Sequence, residues 1–159
     1  MNPTSDMVAV AWLGGITGLS PNMISTNLPQ DQTTWSTSGF IVVSTIAGDV
    51  NMYLPQIRRP IVQIDAYATN PNSGKPPWGK ANHLAELVRS HVEAGNRASN
   101  FARLLTFSQG DYLGANVIDA MMLSEPRRGL IGTDTSTSGD AASYARYMFD
   151  LQLTWRVAS

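Results

Sequence analysis

A chain of 159 residues has the size of one domain and lies below the length at which hydrophobic cores divide. Hydrophobic residues make up 43% of it and charged residues 14%, against about 25% charged in an ordinary soluble domain, so its surface must rest on neutral polar groups that suit coverage by protein. A formal charge of -1 excludes the broad basic face of a nonspecific nucleic-acid binder, and the absence of cysteine excludes disulfides, thiolate zinc sites and cysteine nucleophiles.

The charge is unevenly spread. The first basic residue is Arg58, so Asp6, Asp31 and Asp49 stand unopposed before it and the rest of the chain is net basic. The longest apolar run, Met7 to Ile16, contains two glycines and is too short to cross a bilayer. The leading MNPTSD carries an acid and no base, unlike a signal peptide; the expected site of synthesis is the cytosol, with no membrane partner.

Taken in chain order, Ser5 or Asp6 can cap a helix over Met7 to Leu13, weakened by Gly14 and Gly15 and ended by Gly18 and Pro21. Residues 20 to 39 read as polar loop, with a short strand near Met23 to Asn27 and a loop tryptophan, Trp35, expected to be exposed. Phe40 to Ile46 is β-branched and aromatic, a strand before a turn at Gly48 and Asp49. After a connector with Pro55 and Pro60, residues 61 to 68 (IVQIDAYA) alternate apolar and polar as a half-buried strand does.

Residues 69 to 77 hold three prolines and a glycine and form a loop. From Trp78 to Ala94 the apolar positions recur every three or four residues, predicting a helix capped by Gly95. A short strand is placed near Leu104 to Ser108 and another over 115 to 124. Residues 125 to 143 lack apolar content and predict a long loop. Residues 144 to 157 alternate strictly and form a long last strand, which returns antiparallel to the strand at 115 to 124. The predicted class is α+β: a mixed, largely antiparallel sheet of about four to five strands with two main helices packed on one side. It forms a single domain, 1-159, with long loops near 20-39, 69-77 and 125-143.

Chemistry is thinly signalled. His83 and His91 lie eight residues apart on one helix, about 12 Å along its axis, too far to share a metal. No GxSxG elbow occurs, and GGITG at 14 to 18 lacks the lysine of a phosphate loop. Asp65 and Asp150 are mid-strand acids better suited to ion pairs with Arg89, Arg146 or Arg156 than to a catalytic dyad. The pairs Arg58-Arg59 and Arg127-Arg128, beside Pro60 and Pro126, and the tryptophan Trp78 are the candidate contacts with phosphate or with a neighbouring subunit. No cofactor, metal or catalytic residue is expected.

The order of segments resembles the tail terminator, or tail completion, family of long-tailed double-stranded DNA phages. The resemblance is carried by DMVAVAWLGGI, then FIVVSTIAG, RPIVQIDAYA, the helix KANHLAELVRSHVEA and the closing strand YARYMFDLQLTWRV. It implies a structural virion protein, not an enzyme, that caps the tail tube as a closed ring of about six copies and joins the head-tail neck. Its implied partners are further copies of itself, the tail tube protein, a head completion or connector protein, and DNA passing through without sequence-specific binding. Its implied place is the tail or neck of a virion made in the host bacterial cytoplasm. Asp6, Asp31 and Asp49 become candidate channel-lining acids, and Arg58, Arg59, Trp78, Arg127 and Arg128 candidate subunit contacts. The alternatives are another neck or tail tube component or, in a different class, a small ligand-binding or enzymatic domain built around His91 and Asp65.

Overall fold

The computed structural model describes residues 1–50, 53–54, 56–98, 103–129 and 144–158, with backbone alone at 49–50 and 96–98. In chain order the regular elements are α1 (Ser5–Leu13), β1 (Ile24–Ser25), β2 (Phe40–Val50), β3 (Ile57–Thr69), α2 (Trp78–Ala98), β4 (Arg103–Leu105), β5 (Ala115–Met122), β6 (Arg127–Arg128) and β7 (Tyr144–Val157), with 3₁₀ turns at Pro21–Met23 and Gln32–Thr34.

The expected class needs correction. Among the described residues there are seven strands, not four or five, in a mixed sheet of order β1-β2-β3-β7-β5-β4 with β6 attached to β7. The sheet is strongly curled and dominates the molecule; β2, β3 and β7 alone hold 11, 13 and 14 residues, against 9 and 21 in the helices. The added strands β1 and β6 are two-residue pieces in polar stretches. Neighbours supply their pairing, so no local apolar period announces them.

The long strands grow from alternation. Val62, Ile64, Ala66 and Ala68 on β3 and Phe149, Leu151, Leu153 and Trp155 on β7 are buried on the face that meets the helices. β3 also extends through the connector. It begins at Ile57, and the ladder to β7 skips Arg59 and Pro60, as it must where proline has no N–H to donate. A shift between Val117 and Asp119 in the β5–β7 ladder turns Ala120 inward in step with Val117.

Thr4, rather than Ser5 or Asp6, caps α1, its hydroxyl accepting from the Met7 N–H at 3.3 Å. The helix is apolar almost all round and buries Val8, Ala9, Trp12 and Leu13. It packs against β1 and β2 at one end of the strand order and β4 at the other, so the sheet has to curl around it. Arg103 ends it: the guanidinium donates to the Trp12 carbonyl at 2.9 Å, a cation on the negative end of the helix.

α2 runs past Gly95 to Ala98, so the expected cap is not used. Its Ala81, Leu84, Ala85, Val88 and Val92 are buried. The core is one cluster spanning both helices and the concave sheet face, with a small satellite at Ala68, Ala81 and Ala145. Of the loop expected over 125 to 143, residues 127–128 form β6 and 130–143 lie outside the described residues.

Candidate interaction surfaces

Alternation on β3 and β7 fixes what the outer sheet face presents. Asp65 and Tyr67 stand beside Met148 and Arg146 in register, away from the helices. Asp65 is buried and paired with Arg146 at 2.8 Å, with Gln63 donating to it at 3.0 Å. The expected role of Asp65 as an ion-pair partner is what this geometry gives. Asp150 is not paired in this way: its Oδ1 is buried with no hydrogen-bond partner among the described residues.

His91 lies on the other side of the sheet. Its ring meets Trp12 edge-on at 5.5 Å, and burial, aided by the charge of Arg103, lowers its pKa below the ordinary histidine value. The sheet stands between His91 and Asp65, so the two do not converge on one pocket. Among the described residues no group of three or more His, Cys, Asp and Glu side chains is placed to hold a metal, and no helix is long and apolar enough to cross a membrane.

The two arginine pairs fall at opposite ends of β7. Arg58 is opposite Trp155 in register, and its guanidinium lies 5.2 Å from the centre of that ring; Arg59 reaches Gln152 at 3.5 Å. Arg128 is opposite Tyr147 and stacks over Trp78 at 4.6 Å, while Trp78 meets Tyr147 edge-on at 6.1 Å. Arg127 donates to the Ser124 hydroxyl at 3.1 Å. From Tyr147 to Trp155 the extended rise of about 3.3 Å per residue makes a separation of about 26 Å. Neither Arg58 nor Arg128 has a carboxylate partner among the described residues.

Trp78 therefore joins Arg128 at one end and stays apart from Arg58 and Arg59. Trp35 corrects its expectation: it is 2% exposed, packed on Phe40 and Tyr144 with its indole N–H on the Pro29 carbonyl at 3.3 Å. A tryptophan in a polar loop carries no sequence signal of whether the loop folds back over it.

The three acids belong to three different elements. Asp6 accepts from the backbone N–H of Thr45 at 3.0 Å and from its hydroxyl, which ties α1 to the middle of β2. Asp31 caps the 3₁₀ turn at Gln32–Thr34, and the Thr33 hydroxyl, helped by the Thr33 N–H, holds its carboxyl below the ordinary value. Asp49 sits on β2 opposite Arg59.

No family model matches the chain, and no curated protein sequence does.

Proposed function

We propose that the protein is a structural ring component that caps a phage tail tube and forms part of the head-tail neck. The observation that best supports this reading is the pair of arginines held over tryptophan rings at opposite ends of β7. An arginine fixed by stacking loses little side-chain freedom on docking, and arginine is enriched at the energetic centres of protein interfaces; Trp155 itself is fully buried and acts only as the platform for Arg58. Two separate patches are also what a closed head-to-tail ring requires, because each copy must present two unlike surfaces.

Asp31 suits the lining of a DNA channel. It is exposed, the Thr33 hydroxyl lowers its pKa below the ordinary value, and a negative charge keeps the phosphate backbone from adhering.

The test is a pair of charge reversals, Arg58→Glu and Arg128→Glu, in purified protein mixed with tail tubes. Wild-type protein is expected to sediment with the tubes and to be seen at one tube end by electron microscopy. Each reversal should weaken assembly about 30-fold or more, the effect of losing about 2 kcal/mol at an interface centre, with thermal unfolding little changed. Unaltered capping by both variants would remove these patches from the interface, and decoration along the whole tube would replace a cap with a tube or sheath role.

A further inference from the structure

The curl of the sheet leaves a groove between its two ends. Its volume is about 540 Å³ and its floor is α1, through Met7, Val10 and Ala11. One wall is β1 with Thr26, and the other is the segment Thr106 to Gln109 that continues β4. Among the described residues β1 pairs with β2 alone and β4 with β5 alone, so each wall belongs to a strand with an open edge.

We propose that this groove is a docking site for an extended polypeptide segment carrying a basic residue, contributed by a partner protein, which adds a strand at the open end of the sheet. Three observations point to this occupant. Open strand edges offer rows of N–H and C=O groups, which an extended polypeptide satisfies and a small apolar molecule does not. The floor is apolar, so alternate side chains of an added strand find a dry surface below them. Among the described lining residues the one charge is Asp6. Its Oδ1 takes both bonds from Thr45, so the carboxylate is held in place, while its Oδ2 has no hydrogen-bond partner among the described residues. A fixed carboxylate with a spare oxygen and no lining cation selects for lysine or arginine and against acidic peptides or nucleic acid.

The experiment is selection of a displayed random dodecapeptide library on the folded protein, with the enriched peptides synthesised and mapped by hydrogen–deuterium exchange. The expected peptides carry lysine or arginine in an alternating apolar frame, are poor in acids, and slow exchange at residues 24–26 and 103–109. Filling the groove with Ala11→Phe should weaken them tenfold or more. Asp6→Asn should weaken the basic peptides several-fold while leaving their alanine-substituted versions unchanged. Thr106→Pro, at an exposed position, removes one backbone donor and guards against a folding failure of Ala11→Phe, with thermal unfolding as the control for all three. The proposal is overturned by peptides that bind all three variants as they bind wild type, by protection outside the groove, by enrichment of acidic sequences, or by no enrichment over a mock selection. Groove protection that grows with protein concentration in the absence of peptide would assign the groove to a second copy and would also overturn it.

Discussion

Single residues decide how closely α2 approaches the sheet. Gly39 has φ +77°, and a Cβ there would lie 2.5 Å from the Leu84 Cδ1 and 2.9 Å from the Tyr67 carbonyl oxygen. Both the left-handed backbone and the contact with a fixed carbonyl resist a side chain, so Gly39→Ala is expected to cost about 1–3 kcal/mol, read as a lower denaturation midpoint with an unchanged slope. His91 gives a pH dependence. Its folded pKa is lowered by burial, so the unfolded chain binds the proton more readily. Stability is then unaffected above the ordinary histidine value and falls as pH drops through that value towards the folded one. His91→Gln should flatten the decline in melting temperature between pH 7 and pH 5; an identical decline in the variant would assign it to other groups. The same side chain also separates the functional classes, since a His91-dependent activity would vanish in this variant while assembly remained.

At the scale of elements, β7 is the centre of the molecule, with β3 on one side and β5 and β6 on the other. Phe149 is fully buried on its helix-facing side, and Phe149→Ala should cost about 3–5 kcal/mol in chemical denaturation. The capping of α1 by Arg103 is a smaller effect: Arg103→Met should cost about 1–2 kcal/mol, since a charge-assisted bond to the Trp12 carbonyl is lost. The long strands were legible because strict alternation over IVQIDAYA and over residues 144 to 157 admits one reading, and α2 was legible from its recurring apolar positions. Its end was not, because Gly95 marks a cap only where the following residues leave the helix, and here they continue it. Arg103 could not be assigned from sequence, since its partner is a backbone carbonyl 91 positions away.

For the whole molecule, the curl of the sheet shapes the surfaces proposed to bind partners. It encloses α1 and leaves a groove between β1 and β4, while the two arginine–tryptophan stacks sit beside opposite ends of β7. Strand count and curl were beyond the sequence because β1 and β6 take their pairing from neighbours. The candidate contacts were partly legible: adjacent arginines beside proline stood out, whereas the tryptophan under Arg58 depends on cross-strand register and the one under Arg128 on where the start of α2 meets β6. Asp65 is tied to Arg146 and His91 is set against Trp12, on opposite sides of the sheet. The measurement that tests a tail-capping ring most directly is the copy number of this chain per particle, by quantitative mass spectrometry of purified virions against the major capsid protein. About six to twelve copies are predicted for a closed ring; hundreds of copies, as in a polymerised tube, or none at all would contradict it.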